Sequence, residues 1–350
     1  MSAGDRKLDE FPYSEPGFGR KVAVVGIGSC GCRIANEISK GSRLIEHCLY
    51  VSCDDQDVAN ISRGEKVLVD VTSSGKGTPF NVRGVGRKMI PEMKRQLVDS
   101  QIVIIIAGLG GSVGSGLAPL VAQIAKENQS TIVSILVMPY AFEKPKHYFA
   151  GLALRQMRDL SSGVIIIDND QLYESEIPAI EANAIVNEKI ALALNKLLGS
   201  GEQQELCIGL NNVVDFVKTN SYSVLSLGES GAECRLAVTD AVTKFDKTVN
   251  SREAMKSLVH ICTDNSVTMK EVALSIGGLS GVLGNGTMQV EYGLSANSST
   301  LTTAVIVATG FSGTKYDEFD PVVKAIKSSW NMDPEPDGSL DLQLGILNLE

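Results

Sequence analysis

The sequence predicts an α/β fold in which a Rossmann-like parallel sheet is followed by a long helix and a second, α+β domain. Three observations carry this. Apolar strand-like runs alternate with helix-like stretches through the first half of the chain, the order that builds a parallel sheet covered on both faces. Two of those runs lead straight into glycine-rich turns, at residues 26–31 and 108–116. Finally, Val186, Ile190, Leu194 and Leu197 form one apolar stripe at helical spacing before the pattern changes.

The elements follow in order. Residues 1–19 mix charges with Pro12 and Pro16 and are expected to form a flexible arm. A strand near 21–26 ends in Gly26, Gly28 and Gly31, and a second lies near 47–53. Val85, Met89, Met93 and Leu97, four residues apart, predict a helix. The run 102–107 (IVIIIA) is free of charge and suits a central strand buried on both faces. Gly108, Gly110, Gly111, Gly114 and Gly116 are then expected to take positive φ angles and bring backbone N–H groups close to an anion. A helix starting near Leu117 would aim its positive end at the same place.

Strands near 131–138 and 163–168 complete the sheet, and the long helix spans 185–198. Beyond it, a helix at 233–245, a strand at 258–263, a helix at 269–276 and strands at 288–295 and 302–309 make the α+β domain. The last forty residues are acidic around 333–337 and alternate from 340 to 346, as one more strand or a partner-binding peptide would. The expected divisions are therefore an arm (1–19), a nucleotide-binding domain (20–177), a central helix and connector (178–221), a second domain (222–315) and a tail (316–350).

Composition narrows the function. With 350 residues, 43% hydrophobic and 21% charged, the chain can bury a large core in two or three domains. A net charge of −9 without a dense basic patch argues against nucleic acid as the main ligand. No run reaches the roughly 20 apolar residues of a membrane span, and no leader opens the chain, so a cytoplasmic protein without membrane insertion is expected. Seven cysteines, an odd number without scaffold or CxxC spacing, predict neither disulfides nor a zinc site.

The second glycine loop is not a Walker loop, because no GKS or GKT follows it. A nicotinamide-dependent oxidoreductase fits only the first glycine turn. Gly110-Gly-Ser-Val-Gly-Ser-Gly116 instead resembles the GGGTGTG signature of the tubulin/FtsZ family. Further matches occur in order. Residues 28–34 (GSCGCRI) resemble the tubulin GQCGNQI turn, and 50–56 (YVSCDDQ) the AINTDAQ loop. Phe142-Glu143 with His147 resembles FEGxxR, and residues 168–172 resemble IPNDKL. Residues 222–235 align without gaps to YAMMGSGVASGEDR, and 302–310 end like TVVATG.

The resemblance implies the tubulin/FtsZ fold and a divergent FtsZ-like GTPase of archaeal type. It implies GTP or GDP bound with magnesium and head-to-tail self-assembly into filaments used in cell division or cell shape. A paralogous FtsZ and an adaptor binding the tail are further implied partners. It assigns Gly108, Gly110, Gly111, Ser112, Val113, Gly114, Ser115 and Gly116 to the phosphates, assisted by Gly28, Ser29 and Gly31. Asn169 and Asn187 would read guanine, Glu143 the ribose, and Asp54 the outer shell of magnesium. His147 stands where an arginine near the phosphates is usual.

Two departures bear on hydrolysis. The family's NxDxxD loop brings two carboxylates to the nucleotide of the next subunit, where they polarise water. Counted back from Tyr222, those positions fall on Cys207, Gly209 and Asn212. A second register sets Asn212 and Asp215 on the Asn and first Asp, and Lys218 on the second. Either way the second carboxylate is missing, and losing a catalytic acid or base costs about 10²–10⁴-fold. Val113 also replaces a threonine whose hydroxyl lies near the γ-phosphate, a loss of about 0.5–1.5 kcal/mol. Nucleotide binding with weak or absent hydrolysis is expected. The alternatives are a silent scaffold that co-assembles with an active paralogue, and a GTPase relying on Asp215.

Overall fold

The computed structural model describes residues 21–323 except 42–44, 46, 73–76, 173–177, 199–207, 232, 265–266, 285, 287 and 297–300. The expected arm, the tail beyond residue 323 and most of the catalytic-type loop, Cys207 included, lie outside the described residues.

The first half contains β1 (Val22–Ile27), α1 (Gly28–Gly41), β2 (His47–Ser52), α2 (Gln56–Ala59), β3 (Glu65–Leu68), α3 (Pro79–Gly86) and α4 (Ile90–Leu97). It continues with β4 (Ile102–Gly108), α5 (Ser112–Glu127), β5 (Thr131–Met138), α6 (Lys144–Leu160), β6 (Gly163–Asp168) and α7 (Asn169–Leu172). The long α8 (Ala179–Leu197) and the short α9 (Leu210–Val217) connect the halves. The second half holds β7 (Tyr222–Ser230), α10 (Cys234–Phe245), β8 (Lys256–Thr263), α11 (Met269–Val282), β9 (Gln289–Ala296) and β10 (Thr302–Phe311).

All ten strands join one sheet in the order β3-β2-β1-β4-β5-β6-β7-β10-β8-β9. The charge-free runs take the centre, where both faces are covered. On one face Val24, Ile104 and Ile106 pack with Ile34 and Ile38 of α1 and with Ile190 and Leu194 of α8. On the other, Ala23, Val25 and Ile105 pack with Met93, Leu117, Val121 and Leu154 from α4, α5 and α6.

Several expectations need correction. The stripe from Val85 to Leu97 is split by a 3₁₀ turn at Arg87–Met89; Pro91, which has no N–H to donate, sits in the first turn of the restarted helix. Helix α5 begins at Ser112 rather than near Leu117. None of the glycines at 108, 110, 111, 114 and 116 has positive φ. They are small because other backbone lies close: a Cβ on Gly114 would strike the Gly108 carbonyl, and one on Gly116 the Pro79 carbonyl. Pro119 lies inside α5 and cannot donate to the carbonyl four residues back, that of Ser115. Arg83 donates there instead, Nη2 to the Ser115 oxygen at 3.2 Å and Nε to that of Gly116 at 2.9 Å.

Strands β3 and β7 had no counterpart in the sequence reading. β7 matters most, because it pairs in parallel with β6 through Tyr222–Leu225 and antiparallel with β10 along its length. It thereby makes one sheet of the two halves. Gly228 in this strand packs directly on α10, where a Cβ would collide with the Ala237 carbonyl. Gly278 in α11 has nothing within 4 Å of a Cβ. Gly228→Ala should therefore cost about 1–3 kcal/mol of stability in urea unfolding, while Gly278→Ala should add about 0.5–1 kcal/mol.

Near the end of α8, Lys196 Nζ donates to Thr303 Oγ1 at 2.7 Å. Its charge and, more strongly, burial hold His260 of β8 down at about 4. That ring is fully buried and meets Ser295 Oγ through Nε2 at 2.8 Å. A histidine depressed in the folded state favours protons more when unfolded, so stability falls as pH drops below about 6.5. Urea titrations should show about 3 kcal/mol lost from this group between pH 7 and pH 4, and His260→Gln should flatten that slope.

Candidate functional site

At the carboxyl ends of β1, β4, β5 and β6 lies a cleft of about 630 Å³, where open α/β sheets place ligands. Two glycine loops form its floor. Gly28, at φ +68°, turns β1 into α1, and a Cβ there would sit 3.4 Å from Val113 and 3.5 Å from the Gly114 nitrogen. Gly31 packs on the Ile106 carbonyl. The first turns of α1 and α5 thus adjoin, and their unpaired N–H groups and dipoles face one volume, an arrangement suited to an anion.

Amides gather at the other end. Asn169 opens α7, and its Oδ1 is buried without a partner among the described residues. Asn187 faces it from α8, its Oδ1 accepting from the Cys30 thiol at 3.2 Å. Burial pushes the Cys30 thiol up to about 12, which keeps it protonated as a donor, while Arg33 opposes the shift. One turn before Asn187, Asn183 Oδ1 accepts from the Tyr140 hydroxyl at 3.3 Å. An orphan acceptor among amides fits a base edge carrying N–H donors.

Carboxylates and one lysine line the remaining wall. Asp54 Oδ1 accepts from the Gln56 N–H at 3.1 Å, and Asp57 from the Ser52 hydroxyl at 2.5 Å. Glu143 pairs with Lys146 and accepts from the Tyr140 N–H at 3.1 Å.

The family model for the tubulin/FtsZ GTPase domain matches residues 21–176. The chain carries a tubulin/FtsZ-family GTPase domain. Relatives include cell division protein FtsZ 2 of Methanocaldococcus jannaschii, 26% identical over 279 residues, covering 76% of this chain and 73% of that one. FtsZ 1 of Pyrococcus furiosus is 26% identical over 253 residues, 69% of this chain and 68% of its own. An M. jannaschii FtsZ dimer superposes with TM-score 0.73 at 22% identity, covering 84% and 89% of the two chains. A GTPγS-bound protofilament of CetZ2 from Haloferax volcanii gives 0.70 at 19% identity, covering 89% and 99%. The ten-stranded sheet is the tubulin/FtsZ fold.

Of the expected residues, Gly28, Ser29, Asp54, Gly108, Gly110, Gly111, Ser112, Val113, Gly114, Glu143, Asn169 and Asn187 line the cleft. Four expected residues do not. Gly31 and Gly116 are buried against backbone. Ser115 is buried, its hydroxyl donating to the Leu109 carbonyl at 2.7 Å. His147 turns away: its Nε2 meets the Tyr140 carbonyl at 3.0 Å, and its ring stacks on Phe319 at 3.8 Å. Sequence reasoning missed Cys30, Arg33, Asp57, Tyr140, Lys146 and Asn183. Asn183 alone carried a signal, lying one helical turn before Asn187.

Asn212 and Asp215 are exposed on α9, and neither lines the cleft. α9 follows the end of α8 opposite Asn183 and Asn187.

An ion pair ties the second half of the sheet to the amide end. Fully buried Asp168 accepts from Lys315 Nζ at 2.5 Å, Thr248 Oγ1 at 2.6 Å and the Asp170 N–H at 3.0 Å. Lys315 follows β10, whereas Asp168 directly precedes Asn169. Lys315→Met should destabilise the protein by about 3 kcal/mol, because a buried carboxylate loses its counter-charge. Adding Asp168→Asn should recover part of that loss in a urea double-mutant cycle.

Proposed function

We propose that this protein binds a guanine nucleotide in the cleft and assembles head to tail, with slow or absent GTP hydrolysis by the chain alone. The N–H groups of Gly110, Gly111, Ser112, Val113 and Gly114, with those of Gly28 and Ser29, would cradle the phosphates. Asn169 and Asn187 would take the guanine edge, and Glu143 the ribose. Among the described residues no three acids, histidines or cysteines converge as a metal cage, so magnesium would be held by phosphate oxygens and water with Asp54 at its outer shell. It would neutralise charge developing on the phosphates.

One observation carries the assembly reading: α8 runs ten residues, about 15 Å, beyond the cleft-lining Asn187 before α9 follows, and Val217 at the end of α9 meets Gly163 at the amino end of β6, opposite the cleft. Asn212 and Asp215 therefore stand too far off to serve their own cleft, and one subunit's α9 end would meet the cleft of the next. Such a heterologous contact propagates as an open filament when its rotation does not close. The FtsZ dimer and the CetZ2 protofilament among the matched structures support it. A role in cell division or shape follows from the relatives named cell division proteins.

The weak-hydrolysis reading rests on the missing second carboxylate, whose position holds Asn212 or Lys218. An amide orients water but is a poor base. The same loss favours a second reading, a scaffold that co-assembles with a paralogue whose loop supplies the acids.

Phosphate release from GTP should stay negligible across a wide range of protein concentration, about 10²–10⁴-fold below a relative with both acids. Turnover rising more steeply than concentration would show that contact between identical subunits completes a catalytic site. Release restored by an active paralogue would select the second reading.

A further inference from the structure

The cleft takes its positive charge from an unexpected position. Among the described residues lining it, the cations are Arg33 and Lys146. Arg33 lies beside Cys30, which touches Asn187, and so belongs to the amide end. Lys146 lies at the glycine loop: its Cδ would be 3.6 Å from a Cβ built on Gly110. Successive helical residues point about 100° apart, so once the ring of His147 stacks on Phe319, Lys146 is the neighbour that faces the loop.

We infer that Lys146 is the phosphate-binding cation of this cleft, and that nucleotide binding moves its ammonium from Glu143 to the phosphates, freeing a Glu143 oxygen for the ribose. The inference rests on the guanine-nucleotide reading above. In the structure one Glu143 oxygen holds Lys146 and the other takes the Tyr140 N–H. The Lys146 side chain is 48% exposed and that of Glu143 20%, so the pair is weak and exchangeable. A phosphate offers the ammonium a doubly charged partner and stronger charge-assisted hydrogen bonds.

The helix adds a second reason. The first turn of α6 contains Lys144 and Lys146 against the single carboxylate of Glu143 at its N-cap, so the cations outnumber the acid at the positive end of its dipole. A phosphate arriving beside Gly110 relieves that repulsion. Ribose and phosphate recognition become linked, since the lysine must leave before Glu143 can accept a sugar hydroxyl with that oxygen.

Calorimetric titration with GDP and with guanosine separates the possibilities. Lys146→Gln should weaken GDP at least tenfold, the loss expected when a charged hydrogen bond disappears, while guanosine affinity stays within about twofold of wild type or tightens. Lys146→Arg should largely restore GDP binding. His147→Ala should keep GDP affinity and lower only the melting temperature, through loss of the Phe319 stack. Wild-type GDP affinity in Lys146→Gln, or equal weakening of GDP and guanosine, would overturn the assignment to Lys146 alone. A wild-type protein that binds neither ligand would overturn the guanine-nucleotide reading itself, and this inference with it.

Discussion

The structure depends on the contact between two backbone segments that leave no room for a side chain. β1 and β4 run parallel and paired from Val22 with Ile102 to Ile27 with Ala107, so the turns that follow them must share one space. Gly31 lies against the Ile106 carbonyl and Gly114 against that of Gly108. A Cβ on Gly31 would push α1 away from the end of β4, and one on Gly114 would push α5 off the strand that leads into it, displacing the helix starts that face the cleft. Gly31 acts by permitting this approach and Gly116 by letting Pro79 of α3 close on α5, while their neighbours present N–H groups. Arg83 completes the arrangement by donating to the Ser115 carbonyl that Pro119 leaves without its helical partner.

A second constraint is the coupling of the two halves. The sheet runs through β7 without interruption, paired on one side to β6 and on the other to β10. Lys315, placed just after β10, reaches the buried carboxylate of Asp168 beside Asn169. The amide end of the cleft is therefore held from both sides of the molecule, and a displacement of either half would strain a buried ion pair or the shared strand. α8 supplies the opposite property, rigid separation. Its buried stripe of Val186, Ile190, Leu194 and Leu197 fixes Asn187 midway along the helix, and α9 follows beyond its far end.

Much of this was legible in the residues. The strands from Val22, Ile102, Thr131 and Gly163 are apolar because both faces are covered, and their buried runs mark them directly. β7 escaped because Ser223 and Ser226 sit at fully buried positions within it, so it shows neither alternation nor a continuous apolar run. The start of α5 was obscured by Ser112, Gly114, Ser115 and Gly116, poor helix formers that tertiary packing nonetheless holds in a helix. In the site, the order of short motifs brought Asn169, Asn187, Glu143 and the glycine loops into view. Asp57, Arg33 and Lys146 carried no comparable signal, since each is an ordinary charged residue until its direction is known.

The sequence by itself determined the parallel sheet, the two glycine loops and the family, because residue identity and chain order are sufficient for each. Only the tertiary structure decided which residues face the cleft. His147 turns to Phe319 and Lys146 to Gly110, although they are adjacent in the chain. Direction on a helix is set by the partners packed against it, and those partners come from distant parts of the sequence.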